Sequence, residues 1–193
     1  MKSGTLKVVL MAIGMLVLAT VAGRASAADA ICYNCPPQWA DWASQLKEIK
    51  KNLGLDIPHD NKNSGQTLSQ LLAEKDNPVA DVAYYGVSFG IAAKNEGVVE
   101  AYKPANWDDI PDGLKDPDGN WFTIHSGALG LFVNVEALDG APVPTSWQDL
   151  LKPEYKGMVG YLDPSSAFVG YAGAVAINRA LGGTLDDFTP AIN

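Results

Sequence analysis

The sequence predicts an α/β fold built on a mainly parallel sheet. As far as about residue 100, short apolar runs typical of buried strands alternate with helical patterns. The helical pattern is clearest in residues 36–53, where apolar side chains recur every three or four positions. In residues 129–135 the period changes to two, which indicates a strand exposed on one face.

The predicted elements follow one another in a simple order. Strands are expected at 30–33, 55–60, 79–85, 121–124, 129–135 and 158–162. Helices are expected at 36–53, from Ser64, at 88–95, from Ser146 to Pro153, at 165–181 and from Thr184. Pro36 and Pro37 suit a first helical turn, because the amides there lack helical partners. Residues 106–120, rich in Asp, Pro and Gly, are expected to form a surface loop.

Two predicted helix starts carry informative side chains. Ser146 and Asp149 have the spacing of a capping box, in which each side chain binds the other residue's backbone N–H. Ser165 and Ser166 follow Asp163-Pro164 at the start of the next long helix. A helix start with free N–H groups and hydroxyls is a general site for oxyanions, although a serine there can also simply cap the helix.

The first 27 residues predict an export signal. Lys2 and Lys7 precede an apolar run from Val8 to Ala22, and Ala25-Ser26-Ala27 provides small residues for cleavage. The apolar run is shorter than a bilayer span requires. We therefore expect residues 1–27 to be removed and the remaining chain to be periplasmic.

The charge of the exported chain argues against a nucleic-acid partner. Removing Lys2, Lys7 and Arg24 lowers the 14 basic residues to 11, while all 22 acidic residues remain, giving a net charge of about −11. Nucleic-acid binding normally requires a basic surface.

Cys32 and Cys35 form a C-x-x-C pattern just after the predicted cleavage site. In an oxidising compartment the two thiols could form a local disulfide. The alternative is a thioredoxin-like redox pair, whose reactivity depends on a thiol pKa lowered at a helix start. Both interpretations stay open from the sequence.

The sequence predicts no metal site or cofactor. Two cysteines cannot complete a zinc site, and His59 and His125 lack zinc-finger spacing. Residues 106–120 lack the ligand spacing of a calcium loop.

One long pattern resembles a known family. Residues 146–157 read Ser-Trp-x-Asp-Leu-Leu-x-Pro-x-Tyr-Lys-Gly and are followed by a predicted strand and Asp163-Pro164. This resembles the extracellular solute-binding proteins of bacterial ABC importers, in the branch with ferric-, polyamine-, thiamine- and phosphonate-binding members. The resemblance implies a monomeric, two-lobed protein that performs no chemistry. Such a protein captures a small solute between its lobes and presents the solute to an inner-membrane permease.

The resemblance also implies a domain organisation. Residues 28–134 are expected to form a largely complete first lobe, and residues 135–193 the start of a second lobe. Because the family has a fuller second lobe, the chain is expected to be a fragment or a truncated product.

The candidate ligand contacts are side chains and amides at strand ends and helix starts. They are Tyr33, Cys35, Ser64, Gly65, Tyr84, Ser88, Ser126, Gly127, Ser165 and Ser166. Such groups suit a phosphonate or sugar-phosphate anion, while the tyrosines and the acidic surface equally suit a polyamine. Iron is disfavoured, because Cys32-Tyr33-Asn34-Cys35 lacks the histidine of the ferric-binding members.

An enzyme is the rival hypothesis. Gly86-Val87-Ser88-Phe89-Gly90 matches the G-x-S-x-G elbow of serine hydrolases and lies between a predicted strand and helix. Such a hydrolase needs an acid and then a histidine later in the chain. His125 alone follows Ser88, at a short separation.

Overall fold

The computed structural model describes residues 29–192, so the predicted export signal at residues 1–27 lies outside the described range. The strands and α-helices are β1 (Cys32–Tyr33), α1 (Trp42–Leu53), α2 (Ser64–Ala73), β2 (Val82–Ala83), α3 (Val87–Glu96), α4 (Phe168–Ala180) and α5 (Thr189–Ile192). Short 3-10 helices lie at Trp107–Asp109, Asp112–Leu114, Val135–Leu138, Gln148–Leu151 and Pro153–Tyr155. Each of these helices is too short or too polar to cross a bilayer, as far as residues 29–192 are concerned.

The two strands pair in parallel, with Cys32 opposite Val82 and Tyr33 opposite Ala83. This pairing confirms the predicted strand–helix alternation, because parallel neighbours need a crossover between them. The strands are shorter than predicted. The expected strand at 55–60 is reduced to one bridge between Cys32 and His59, since Pro58 offers a carbonyl but no N–H.

A small apolar core lies beneath this strand pair. It consists of Cys32, Cys35 and Trp42, with Leu46, Ile57 and Tyr84 packed against it. The first helix begins at Trp42 rather than near Pro36, which corrects the predicted boundary. Ala40 and Asp41 have φ angles of 48° and 54°, a left-handed conformation that cannot continue a right-handed helix.

The next two helices follow the prediction closely. Asn63 caps α2 in a capping box with Gln66, so Ser64 is the first helical residue rather than the cap. The third helix, α3, begins after Gly86 and ends at Gly97, whose φ of 64° suits a glycine C-cap.

The predicted strands at 121–124, 129–135 and 158–162 are not formed as strands. In the described part of the chain, their pairing is limited to an antiparallel bridge between Lys115 and Phe122. A strand needs a neighbour for its backbone groups, and residues 29–192 provide none for the two later segments.

The acidic loop at 106–120 was predicted to be a surface loop, but its end is bonded to α3. Asp116 is only 5% exposed, and its carboxylate accepts hydrogen bonds from Lys94 and from Asn120. Lys94 also bonds Asp118, so the end of the loop is held against α3. Within residues 29–192, His, Cys, Asp and Glu side chains form no group of three that could hold a metal ion.

Candidate functional site

An open groove lies between α2 and the turn that precedes α4. Its volume is about 700 Å3. It is lined by Asn61, Lys62, Gly65, Gln66, Ser69, Gln70, Ser165 and Ser166. Three predicted contacts, Gly65, Ser165 and Ser166, are therefore brought together although about a hundred residues separate them in sequence. We call this space the groove.

The start of α2 is held by groups of the protein itself. The N–H of Gly65 donates to the carbonyl of Ser166 at 2.8 Å, and the N–H of Gln66 donates to the Asn63 side chain at 2.8 Å. The sequence suggested a ligand oxygen at this positively polarised helix end. In this structure the acceptor is a backbone carbonyl of the protein.

The turn before α4 corrects a prediction. The helix begins at Phe168 rather than at Ser165, and the N–H groups expected to be free are bonded to Asp163. The Asp163 carboxylate accepts from the backbone and hydroxyl of Ser165, and its carbonyl accepts from the N–H groups of Ser166 and Ala167. An aspartate before a proline readily forms such a turn, which competes with helix formation. These bonds, mainly those from Ser165, lower the pKa of Asp163.

Ser64 and Phe168 link the start of α3 to its neighbours. The buried hydroxyl of Ser64 accepts a hydrogen bond from the N–H of Gly86 at 3.2 Å. The ring of Phe168 packs directly on Gly86, where a side chain would clash with it. Ser64 therefore acts as a structural contact between α2 and α3 in this structure.

Tyr33 is held by α2. Its hydroxyl donates to the Glu74 carboxylate at 2.9 Å and accepts from Gln70 at 2.8 Å. Burial raises the pKa of Tyr33, and the hydrogen bond and negative charge of Glu74 raise it further. The Lys62 ammonium lies 4.5 Å from the centre of the Tyr33 ring. Tyr33 thus lies beneath the Lys62 side of the groove with its hydroxyl engaged.

Cys32 and Cys35 are joined as a disulfide in this structure. Between them, Asn34 adopts a left-handed conformation and is 1% exposed. Its N–H bonds Asp60 and its side-chain amide donates to the carbonyl of Tyr84. The side-chain oxygen of Asn34 has no hydrogen-bond partner among residues 29–192. Asn34 was not among the residues predicted from the sequence, although asparagine after a strand tolerates this conformation.

Tyr84, which directly follows β2, contacts His125. The Tyr84 hydroxyl lies 2.7 Å from Nε2 of His125, and burial raises the pKa of Tyr84. Ser126 and Gly127 follow His125 and are exposed, and Ser126 borders a second cavity of about 490 Å3. The contact of His125 with Tyr84 was not predicted from the sequence, where His125 was a candidate only for a metal ligand or a catalytic base.

Ser88 lies in the first turn of α3 and is partly buried. The hydrolase hypothesis needs a histidine beside it. The histidine that follows Ser88 in the chain is instead hydrogen-bonded to Tyr84. The elbow pentapeptide therefore forms an ordinary strand-to-helix connection, with Gly86 as the helix N-cap.

Comparison with known proteins identifies the family of this chain. Residues 77–188 match the model of the bacterial extracellular solute-binding proteins. The chain belongs to this family.

Two similar proteins have names that state a periplasmic binding function. The chain is 31% identical, over 63% of its length, to a probable ABC transporter periplasmic-binding protein of Sinorhizobium fredii. It is 26% identical, over 76% of its length, to a spermidine/putrescine-binding periplasmic protein of Salmonella typhimurium. It spans 34% and 44% of the lengths of these two solute-binding proteins.

The solved structure of a periplasmic binding protein is similar to the structure of this chain. The periplasmic binding protein AfuA from Actinobacillus pleuropneumoniae, solved with exogenous fructose-6-phosphate bound, superposes with a TM-score of 0.65 at 28% identity. The match covers 81% of this chain and 53% of AfuA. The predicted periplasmic-binding-protein fold is therefore confirmed.

Proposed function

We propose that this chain is the solute-binding component of an ABC importer. It captures a small polar solute and presents it to an inner-membrane permease, with no chemical step of its own. The observation that carries the proposal is the groove, where polar groups of α2 meet Ser165 and Ser166 from a distant part of the chain.

The proposed lobes meet at this groove. We assign residues 28–134 to the first lobe and residues 135–193 to the second. The hydrogen bond from Gly65 to Ser166 and the packing of Phe168 on Gly86 both cross that boundary. A solute held at such a junction can favour closure of two lobes by a hinge motion, because it contacts both of them.

The solute is proposed to be either a phosphate-bearing anion or a polyamine. Gln66 and Ser69 supply donors to the groove and favour an anion, as does the sugar phosphate bound by AfuA, whereas the Lys62 ammonium is paired with Asp60. The acidic chain favours a solute with N–H groups. The similarity to a spermidine/putrescine-binding protein supports the second class.

We retain the predicted contacts as proposals. The set is Tyr33, Cys35, Ser64, Gly65, Tyr84, Ser88, Ser126, Gly127, Ser165 and Ser166. Gly65, Ser165 and Ser166 have the strongest support, because all three line the groove. Tyr33 and Ser64 have less support, because their hydroxyls are engaged within the protein.

We further propose that residues 1–27 direct export and that the protein acts in the periplasm. The apolar run after Lys7 and the small residues at 25–27 support this assignment. N-terminal sequencing of the exported protein should find a start at or near Ala28, and retention of Lys2 would contradict it.

Thermal-shift measurements test the binding function. Fructose 6-phosphate and spermidine serve as probes, and fructose without its phosphate serves as the matched control. A solute that binds only the folded state raises the melting temperature, by an amount that grows with solute concentration. A rise with one probe and none with fructose supports the proposal. No rise with either probe, up to millimolar concentration, would argue against both proposed solute classes.

A further inference from the structure

Lys62 is the one charged side chain among the residues that line the groove, as far as residues 29–192 are concerned. The other lining residues carry amide groups or hydroxyls, or, at Gly65, have no side chain. In this described lining, aspartate and glutamate are absent. A charged solute in the groove therefore meets one fixed charge, and that charge is positive.

Asp60 and Tyr33 hold the Lys62 side chain in place. The Lys62 ammonium is paired with one oxygen of the Asp60 carboxylate and lies 4.5 Å from the centre of the Tyr33 ring. The other Asp60 oxygen accepts the N–H of Asn34 at 2.7 Å, so Asp60 is itself fixed to the end of β1. Only 21% of the Lys62 side chain is exposed. Because this lysine is already ordered, a solute that binds it avoids most of the entropy cost of immobilising the side chain.

The pair with Asp60 leaves part of the Lys62 ammonium available. Within residues 29–192, the Asp60 carboxylate is the hydrogen-bond acceptor of this ammonium. An ammonium has more N–H donors than one such bond uses. A phosphate oxygen that enters from the groove can therefore accept a second N–H of Lys62 while Asp60 stays bound. Hydrogen bonds between two charged groups are among the stronger ones in proteins.

A polyamine finds a poorer match in the groove. Its ammonium groups need carboxylates, because an unpaired charge removed from water is costly. The carboxylates that contact lining residues in the described region are already engaged. They are Asp60, Glu74 and Asp163, which accept hydrogen bonds from Lys62, Gln70 and Ser165. The net charge of −8 belongs to the chain as a whole, whereas charge selection depends on the groups that face the solute.

We propose that Lys62 selects the charge of the solute, and that the groove takes a phosphate-bearing anion rather than a polyamine. The proposal rests on the solute-binding function proposed above and narrows its two solute classes to one. Lys62 binds an oxygen of the phosphate, and Asp60 and Tyr33 are positioning residues for its ammonium. Gln66 adds an uncharged donor. Its amide oxygen accepts the N–H of Asn63 at 2.9 Å, which leaves its NH2 group, a donor, for the solute.

Calorimetric titration of the natural chain and of Lys62→Met tests the proposal. Fructose 6-phosphate and spermidine are the probes, and fructose reports binding that does not involve the phosphate. We expect the natural chain to bind fructose 6-phosphate more tightly than spermidine. Lys62→Met should bind fructose 6-phosphate at least about tenfold more weakly, because a charged donor to the phosphate is lost. Lys62→Arg, which keeps the charge, should retain most of the affinity.

Two further variants separate the lost ammonium from other effects of the substitution. Lys51→Met is the matched control, because the Lys51 side chain is 66% exposed on α1 and is paired with Glu48. It should leave the affinity unchanged. The double variant D60N/K62M removes both charges of the pair. If Lys62→Met weakened binding only because the uncovered Asp60 carboxylate repels the phosphate, the double variant would recover the affinity. We expect the loss to persist, and thermal melting checks that each variant is folded.

The results distinguish this proposal from the proposed function. Equal affinity of the natural chain and Lys62→Met for fructose 6-phosphate, or recovery in the double variant, would overturn the role of Lys62 and leave solute binding intact. Tighter binding of spermidine than of fructose 6-phosphate would also overturn the proposal, again with solute binding intact. Binding of neither probe by the natural chain would overturn both the proposal and the solute classes on which it rests.

Discussion

The backbone N–H of Gly65 donates to the carbonyl of Ser166 across a distance of 2.8 Å. This bond joins the start of α2 to the turn before α4, and both residues line the groove. It places a protein carbonyl at a helix start, where the partial positive charge favours any acceptor. A solute oxygen that reached Gly65 would have to replace this carbonyl, so we propose that solute binding would be coupled to the contact between the proposed lobes.

Gly65→Ala should weaken this contact. A Cβ at position 65 would lie 3.0 Å from the oxygen and 3.1 Å from the Cα of Ser166, so the turn must move. Loss of one hydrogen bond costs about 1 kcal/mol, which lowers the melting temperature by about 2–4 °C. Gly113→Ala is the control, because no atom lies within 4 Å of its added Cβ. Equal melting temperatures for the two variants would contradict the prediction.

Ser64→Ala should destabilise the α2–α3 contact. The Ser64 hydroxyl accepts from the N–H of Gly86; Ser64 is buried and Gly86 is partly buried. Leaving that N–H without a partner costs about 1–3 kcal/mol of unfolding free energy. Chemical denaturation measures the loss, with Ser44→Ala on the exposed face of α1 as the control. A loss no larger than in the control would show that the bond contributes little.

The Cys32–Cys35 disulfide should stabilise the first strand end. Closing so short a loop restricts the unfolded chain and is worth about 2 kcal/mol. The double variant C32S/C35S should therefore unfold at a lower denaturant concentration. A thiol reductant should lower the stability of the natural chain to the same level and leave the variant unchanged. If the reductant has no effect on the natural chain, the disulfide is either absent or energetically neutral.

Asp116 should make the fold sensitive to acid. Hydrogen bonds, mainly from Lys94 and also from Asn120, lower the pKa of Asp116 to about 2. The pKa of an aspartate in the unfolded chain is about 3.9. A lowered folded pKa contributes stability that is complete above about pH 4 and is lost as the pH falls through about 2. Asp116→Asn should flatten the fall of melting temperature over that range.

Asp118→Asn is the control for the acid prediction. Asp118 bonds the same lysine, but its side chain is 74% exposed, so solvent screens the interaction. The pH dependence of this variant should resemble that of the natural chain. An unchanged slope in the Asp116 variant would contradict the assignment.

The sequence predicted those features that depend on neighbouring residues. The helix α2 begins at a local capping box, α3 ends at a glycine, and the capping box of Ser146 and Asp149 forms with both expected bonds. The start of α4 was misplaced because Asp163 binds the next amides in a turn, an alternative that the serine-rich pattern does not reveal.

Features that depend on distant residues were missed. The bond between Tyr84 and His125 joins positions 41 residues apart, and Asn34 becomes buried through contacts with Asp60 and Tyr84. Neither arrangement produces a recognisable pattern among neighbouring residues of the sequence. The strands were predicted too long because strand propensity says nothing about whether a partner is available.

Solute titration of a groove-filled variant tests the central claim most directly. Ser69 is exposed on α2 and lines the groove, so Ser69→Trp should fill that space without disturbing the core. Ser44→Trp, on the exposed surface of α1, is the matched control. By calorimetry with fructose 6-phosphate and with spermidine, the natural chain and the control should bind one probe with equal affinity. The Ser69 variant should bind that probe at least about tenfold more weakly. Equal affinity in all three proteins would place the solute outside the groove and contradict the account.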